Sequence, residues 1–331
     1  MKSAQKRILS VLLPAALSLI GSQAALAQQE VNEYPSKPVT VVVPSEGTGV
    51  SEDVRIMIQS IERSHPGTSI LIERRPGAAG TIGIAYVARA RPDGYTLLAP
   101  TADFTITPAV YPDLTYDVTR DFLPISLLTQ RAYLLVVHNS LPFRNVKEYI
   151  GYARYNPGEL NFATSGNGST THLPGALLHY MTKTRVTFVH YKKSAERVSD
   201  TVGGRTGVLV GTYGTLLPHF KAGRLRPLGV TTTKRISSAP DVPSISETVP
   251  GYAYSSWSGI LAPAKTNPAL IAKMNRMWND SLKDPMVEKK LTSDGTVAVA
   301  SSSQAFQKFI NDDVAKWKKM IKATGITLAE D

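Results

Sequence analysis

A stretch of small and hydroxyl-bearing residues separates a predicted strand from a predicted helix early in the chain. The apolar run at residues 38–43 predicts a buried strand, and a helical pattern begins at residue 52. The first N–H groups of a helix lack partners within the helix, and the helix dipole is positive there, so small side chains at this position favour anion binding. An ordinary strand-to-helix turn is the alternative interpretation. The candidate binding residues are Ser45, Glu46, Gly47, Thr48, Gly49 and Ser51.

A second stretch, residues 163–172, has the same character and follows another predicted strand. Hydroxyl groups, a side-chain amide and glycine N–H groups can all donate hydrogen bonds to one ligand. We expect the two stretches to face each other across a binding site. The candidate residues in the second stretch are Ser165, Gly166, Asn167, Gly168, Ser169 and His172.

Catalytic and metal-binding motifs are not recognisable in the sequence. It contains no G-x-S-x-G, no H-E-x-x-H, no P-loop and no pair of histidines at metal-binding spacing. Ser169 and His172 are compatible with the nucleophile and base of an exported hydrolase, but residues three apart near a helix start more often act as a cap and a ligand donor. We predict a binding protein without enzyme activity or a metal site.

A glycine-rich segment at residues 75–83 raises the question of a dinucleotide cofactor. Its spacing is G-x-x-G-x-x-G, whereas the dinucleotide fingerprint is G-x-G-x-x-G. No acidic residue ends a following strand about 20 residues later, as that fingerprint requires. We therefore predict no cofactor.

The N-terminal residues predict export from the cytoplasm. Lys2, Lys6 and Arg7 precede an apolar stretch that ends in the small residues around Ala27. This order is typical of a signal peptide, so we expect cleavage near Ala27 and a protein outside the cytoplasm. The absence of cysteine excludes disulfides, thiolate metal sites and a cysteine nucleophile.

The formal net charge of +11 favours anionic partners. Basic residues are scattered singly or in pairs among acidic ones, and no basic stripe is interleaved with aromatic residues. This distribution argues against nucleic acid and for a small anion. We expect the protein to act as a monomer.

Short β-branched runs alternate with helical patterns, which is typical of an α/β fold. Strands are predicted at residues 39–43, 69–73, 95–98, 133–138, 160–163, 187–189, 206–210 and 225–230. Helices are predicted at residues 52–63, 81–90, 146–155, 172–181, 195–202, 214–222, 268–282 and 303–323. The last helix has an apolar face that we assign to the core, formed by Phe306, Phe309, Ile310, Val314, Trp317 and Ile321.

Two extended segments, residues 122–128 and 256–262, flank a central block with its own strands and helices. If both segments cross between lobes, the chain leaves one lobe and returns to it, and a cleft lies between them. The sequence thus predicts two doubly wound α/β lobes joined by a hinge. Residues 1–27 form the signal peptide, residues 28–128 and 256–331 form lobe 1, and residues 129–255 form lobe 2.

Several sequence blocks together resemble one family, the Bug-type periplasmic substrate-binding proteins of tripartite tricarboxylate transporters. The blocks are YPSKP at 34–38, ERRPGAAG at 73–80, RPDGYTL at 91–97, SGNGS at 165–169, LPHFKAGRLR at 217–226, PDVP at 240–243 and LAP at 261–263. Their order and spacing carry the resemblance, which spans almost the entire chain after the predicted signal peptide.

The resemblance implies a hinged binder that captures a small carboxylate and delivers it to membrane transporter subunits. An orphan binder that signals to a sensor kinase is the alternative. In this family the two loops described above grip one carboxylate, and a third loop lies at the cleft. The resemblance adds Thr101, Ala102, Asp103, Tyr191, Gly211 and Thr212 to the candidate site.

Two departures from the family pattern bear on the ligand. The segment from Ser45 to Gly49 is more polar than is usual, and Gly207 and Gly211 stand where relatives commonly have aspartate. Because such carboxylates would receive a ligand ammonium, their absence argues against an amino acid. We expect a dicarboxylate, a tricarboxylate or an aromatic carboxylate, although Glu46 would repel it unless that side chain points to solvent or pairs with a base.

Overall fold

The computed structural model of the protein describes residues 31–44, 48–111, 113–293 and 295–326. The predicted signal peptide lies outside the described residues, as do Ser45, Glu46 and Gly47 of the first candidate loop. In the part of the chain that is described, no helix is both long enough and apolar enough to cross a bilayer.

Strands and helices alternate along the chain. The strands are β1 (Val39–Val43), β2 (Ile70–Arg74), β3 (Thr96–Leu98), β4 (Phe122–Arg131), β5 (Tyr133–His138), β6 (Asn161–Thr164), β7 (Thr187–His190), β8 (Val208–Thr212), β9 (Leu225–Val230), β10 (Ser256–Pro263) and β11 (Thr296–Ala298). The helices are α1 (Thr48–Ser64), α2 (Thr81–Ala88), α3 (Asp103–Ile106), α4 (Val146–Tyr155), α5 (Leu173–Thr182), α6 (Ser194–Val202), α7 (Tyr213–Lys221), α8 (Pro268–Ser281), α9 (Pro285–Ser293) and α10 (Ser303–Thr324).

The strands form two sheets, as expected for two α/β lobes. The first has the order β11-β4-β10-β3-β1-β2 and the second the order β7-β6-β8-β5-β9. The β1 strand pairs in parallel with β2 and β3, and β6 pairs in parallel with β7 and β8. Each set of parallel strands therefore places its carboxyl ends, and the loops that follow them, at one edge of its sheet.

The strands next to the crossings between the sheets run antiparallel to their neighbours. The β10 strand is antiparallel to β3 and β4, and β5 is antiparallel to β8 and β9. The sequence predicted parallel strands joined by helices, and it did not predict β11 or α9. The boundaries of the two lobes stay a prediction, although the first sheet takes its strands from residues 39–131 and 256–298 and the second from residues 133–230.

Alternating apolar residues anchor the first sheet to its helices. Val39, Val41 and Val43 of β1 pack in one cluster with residues of α1 and α8, and Val42 points into the other core cluster. Each fully buried valine contributes about 1.5 to 3 kcal/mol relative to an exposed one. The alternation thus fixes which face of the first sheet packs against α1 and α8.

The C-terminal helix α10 covers both the first sheet and the second lobe. Its predicted apolar face is buried at five positions, and Phe309 packs against that cluster as a partly buried residue. The helix contacts β4 and also α5. Ser302 caps its start by accepting the N–H of Ala305 at 3.1 Å, and Gly325 ends it in the left-handed conformation.

Candidate functional site

One short crossing joins the two sheets, and it brings residues of both sheets together. The β4 strand ends at Arg131, Ala132 is fully buried, and β5 begins at Tyr133. The Tyr133 hydroxyl interacts with the side chains of Thr170, from the loop after β6, and Ser256, from the start of β10.

The carboxylate of Asp103, from α3, also acts on Tyr133 electrostatically. Thr170 belongs to the second sheet's loops, whereas Asp103 belongs to those of the first. Side chains from loops of both sheets therefore act on the Tyr133 phenol, Thr170 through a hydrogen bond and Asp103 through its charge.

The first turns of α1 are tied to the same crossing. The Arg131 guanidinium lies 3.0 and 3.2 Å from the two carboxylate oxygens of Asp53, and its Nε donates to Thr296 Oγ1 at 2.8 Å. Two residues before Asp53, the Oγ of Ser51 is buried and has no hydrogen-bond partner in the structure. An unsatisfied buried hydroxyl is costly, so its position in the first turn of a helix favours a ligand there.

The segment after β3 contributes Thr101, Ala102 and Asp103. Thr101 Oγ1 donates to the Asp103 carboxylate at 2.9 Å, and burial raises the pKa of the Asp103 carboxyl despite that hydrogen bond. Ala102 is part of the apolar core, so only its backbone is available to a ligand. These residues follow β3, and their place in a ligand site stays a prediction.

The loop of residues 165–172 is held in shape by its own side chains. Thr171 Oγ1 accepts the N–H of Ser165 at 2.8 Å, and Ser169 Oγ accepts the N–H of His172 at 3.2 Å. Gly168 has a φ of +71°, in the left-handed region that glycine adopts without strain. Several predicted donors of this loop thus organise the loop itself.

His172 supports the loop from beneath. Its side chain is buried, and Nδ1 accepts the N–H of Gly168 at 3.0 Å. Burial, with a smaller contribution from His190, lowers the pKa of His172 to about 4, so the ring is neutral at physiological pH and keeps this acceptor. Direct contact between His172 and a ligand stays a prediction.

The last predicted residues lie around the end of β8. Thr212 pairs with Tyr133 in the sheet register, which brings it to the crossing, and Gly211 precedes it in the buried part of the strand. A Cβ atom at Gly211 would lie 3.0 Å from Leu216 Cδ1. Tyr191 is half-buried, and its hydroxyl donates to the Asp200 carboxylate at 2.9 Å.

Sequence reasoning missed three residues of this region, namely Tyr133, Arg197 and Ser256, and it placed Thr170 in the second loop without naming it as a candidate binding residue. The sequence analysis predicted Tyr133 as the first residue of a strand and assigned it no role in binding. In the structure this strand directly follows the crossing between the sheets. Arg197 lies on the inward face of α6, beside the buried Val198 and one turn before the buried Thr201. A charged residue among the inward-facing positions of a helix is unusual, and the sequence analysis did not use this signal.

The described residues show no arrangement suited to metal binding or nucleophilic catalysis at this edge. Among them, no group of three or more His, Cys, Asp or Glu side chains is placed to hold a metal ion. The Ser169 hydroxyl accepts the backbone N–H of His172 and lies 3.1 Å from Thr171 Oγ1, while the His172 ring faces the N–H of Gly168. In this structure the serine hydroxyl and the imidazole form no hydrogen bond with each other.

Comparison with known proteins places this architecture in one family. The family model described as the tripartite tricarboxylate transporter family receptor, TctC, matches residues 55–326. The protein BugT of Bordetella pertussis is 28% identical over 314 residues, which are 93% of this chain and 96% of BugT.

Solved structures give the same result. An R. palustris protein solved with adipate is 33% identical, with a TM-score of 0.71, over 89% of this chain and 99% of that one. MatC from Rhodopseudomonas palustris with bound malate is 26% identical, with a TM-score of 0.68, over 87% of this chain and 100% of MatC. The predicted fold and the predicted Bug-type resemblance are confirmed, and the chain belongs to the tripartite tricarboxylate transporter receptor family.

Proposed function

We propose that the protein captures a small carboxylate in the periplasm and delivers it to the membrane subunits of a transporter. The observation that carries this proposal is the position of Tyr133 at the crossing between the sheets, where Thr170 from one sheet and Asp103 from the other both act on its phenol. A ligand at this point would touch loops of both sheets at once. That is the arrangement a two-lobed binder requires.

The chemistry around the convergence supports an anionic ligand. The α1 helix begins at Thr48 with its positive dipole end at the loop edge, and the partnerless Ser51 hydroxyl lies in its first turn. The net charge of +11 includes Lys2, Lys6 and Arg7, which precede the expected cleavage site, and the chain after that site stays positively charged. The structural relatives above were solved with adipate and with malate, which are both dicarboxylates.

Binding by lobe closure follows from the division of the donors between the two sheets. The ligand stabilises the closed arrangement because only there do donors of both lobes reach it. Hydrogen bonds to the ionised carboxylate are then shielded from water and are stronger than neutral ones. Arg131 and Tyr133 would act as one strand of the hinge, since a single residue separates β4 from β5.

The proposed role involves no chemical change of the ligand. A nucleophilic serine needs a base within hydrogen-bond reach, whereas Nδ1 of His172 accepts the N–H of Gly168 and the Ser169 hydroxyl accepts the N–H of His172. The family is a receptor family, which supports the same conclusion. The ligand should therefore be recovered intact after binding.

A thermal-shift panel of carboxylates tests this function. It contains succinate, malate, glutarate, adipate, citrate and benzoate, with glutamate and inorganic phosphate as controls. A ligand at a hundred times its dissociation constant stabilises the folded state by about 2.7 kcal/mol, which raises the melting temperature measurably. We expect at least one carboxylate of the panel to raise the melting temperature, and we expect neither glutamate nor phosphate to raise it. A flat response to the whole panel would contradict the proposed function.

A further inference from the structure

Arg197 is a buried arginine whose hydrogen-bonding capacity is only partly used. The residue is 3% exposed, and its Nη1 donates to the carbonyl oxygen of Val210 at 2.8 Å. Its Nε is also buried and has no hydrogen-bond partner. Among the described residues, no carboxylate forms an ion pair with Arg197, and the phenol of Tyr133 is the one ionisable group that acts on it.

Other partly buried arginines of the chain are satisfied. Arg131 pairs with the Asp53 carboxylate, and Arg226 donates to the backbone oxygens of Asn139, Leu141 and Phe143. A buried guanidinium without an anion is costly, because it loses its hydration and gains no opposite charge. Arg197 therefore has the properties of a group that is completed by a ligand.

The acidic residues of α6 itself are engaged elsewhere. Glu196 is exposed and lies 3.5 Å from the Lys193 ammonium. Asp200 binds the Arg205 guanidinium and the Tyr191 hydroxyl. Neither carboxylate forms a hydrogen bond or an ion pair with Arg197 in the structure.

The position of Arg197 connects it to the candidate site. Val210 lies one residue before Gly211 and two before Thr212, at the carboxyl end of β8. Thr212 pairs with Tyr133 in the register of the sheet, and Tyr133 is the residue on which Thr170 and Asp103 converge. The guanidinium therefore lies behind Tyr133, on the side of the second sheet.

We propose that Arg197 binds a second carboxylate of the ligand, entering beside Tyr133, and so makes the protein selective for dicarboxylates. This inference rests on the proposed function and narrows its ligand class. One carboxylate of the ligand lies at the start of α1 and accepts a hydrogen bond from the Ser51 hydroxyl. The other carboxylate accepts hydrogen bonds from Nε and Nη2 of Arg197. The planar guanidinium is suited to bidentate contact with a carboxylate. An ammonium group at this end of the ligand would be repelled.

Matched pairs of ligands test the inference by titration calorimetry. Each pair contains a dicarboxylate and its monoamide, which has the same length but one negative charge fewer: succinate and succinamate, glutarate and glutaramate, adipate and adipamate. In the wild-type protein we expect the best dicarboxylate to bind about ten- to hundredfold more tightly than its monoamide, as for a lost hydrogen bond to a charged group.

The variant Arg197→Gln removes the charge, and Arg226→Gln is the matched control. We expect Arg197→Gln to abolish the preference for the dicarboxylate, mainly by weakening dicarboxylate binding. Arg226→Gln also removes contacts to backbone carbonyls. However, Arg226 pairs with Val137, near the end of β5 that is far from Tyr133. The preference for the dicarboxylate should therefore survive in Arg226→Gln. A preference that persists in Arg197→Gln would overturn the inference.

The wild-type protein distinguishes the failure of this inference from that of the proposed function. Equal affinity for a dicarboxylate and its monoamide would leave the proposed function standing and overturn the role of Arg197. Binding of neither member of any pair, together with a flat thermal-shift panel, would overturn both.

A measurement on the wild-type protein covers the case in which Arg197→Gln does not fold. The ¹⁵Nε–¹Hε resonance of Arg197 is followed during titration with the same pairs. We expect the dicarboxylate to shift it and the monoamide to leave it nearly unchanged, and no shift with a bound dicarboxylate would overturn the inference.

Discussion

The N–H of Gly168 donates to Nδ1 of the buried His172 at 3.0 Å, so a neutral imidazole holds the glycine-rich loop in its shape. The same loop supplies Thr170, which meets Tyr133 at the crossing between the sheets. The proposed binding surface of the second sheet therefore depends on a contact that lies beneath it.

His172→Phe is expected to weaken carboxylate binding about tenfold. The phenyl ring can fill the buried space but cannot accept the N–H of Gly168, and a lost hydrogen bond of this kind is equivalent to about 1 to 2 kcal/mol. His172→Gln offers an acceptor and is the matched variant, which should lose less affinity. Calorimetric titration with the best carboxylate of the panel measures both. Equal affinities in wild type and His172→Phe would show that the loop shape does not depend on this contact.

Two buried histidines should make the protein less stable in mild acid. Burial lowers the pKa of His172 and of His179 to about 4, whereas an unfolded histidine has a pKa of about 6.5. As pH falls below about 6.5 the unfolded chain takes up protons that the folded protein does not, so stability is lost between about pH 6.5 and pH 4. Below that window the loss levels off.

His179→Gln measures one of these contributions. At pH 5 each such histidine costs about 2 kcal/mol relative to pH 7, so His179→Gln should reduce the pH dependence of the free energy of unfolding by that amount. Urea unfolding at pH 7 and pH 5 checks this, with the exposed His65→Gln as control. An unchanged pH dependence in His179→Gln would contradict the lowered pKa.

Ser51→Ala is expected to act with opposite signs on stability and on binding. Without ligand, the substitution removes a buried hydroxyl that has no partner, so the free energy of unfolding should stay constant or rise by up to about 1 kcal/mol. Carboxylate affinity should fall about tenfold, because a donor to a charged group is lost.

Ser60→Ala, on the same helix, is the matched control. Ser60 is buried but interacts with Asp284, so its replacement should lower stability and leave affinity unchanged. Thermal unfolding and calorimetric titration of both variants separate the two effects. If Ser51→Ala destabilises the protein and binds normally, Ser51 has a structural role.

Arg131→Gln should destabilise the protein by about 3 kcal/mol, since it leaves the Asp53 carboxylate buried without its guanidinium partner. The double variant with Asp53→Asn should recover part of that loss, because the uncompensated charge is then gone. A double-mutant cycle measured by urea unfolding gives the coupling energy. A coupling near zero would mean that the ion pair does not tie α1 to the crossing.

Much of the fold could be predicted from local pattern. The bounds of β1, β5 and β9 were predicted to the residue, and β1 shows why, since it is a short run of mostly valine bordered by Pro38 and Pro44. The short strand β11 was missed because three residues carry no period of their own. It forms only by pairing with β4.

The direction of the crossing strands could not be predicted, since periodicity does not distinguish parallel from antiparallel pairing. The loops of the candidate site were found from glycine and hydroxyl content. Arg197 was not, because burial without a partner is a property of the folded chain. Tyr133 was not, because its interactions with Thr170 and Ser256 join segments far apart in the sequence. The sequence could indicate an anion-binding edge, but it could not show which charged side chain lies behind it.

A crystal structure of the protein with its tightest-binding carboxylate of the panel tests the central claim most directly. We predict the ligand between the first turn of α1 and the loop of residues 165–172, with one carboxylate near Ser51 and atoms of both lobes within hydrogen-bond distance. A ligand that contacts residues of only one sheet, or that binds away from Tyr133, would contradict the account.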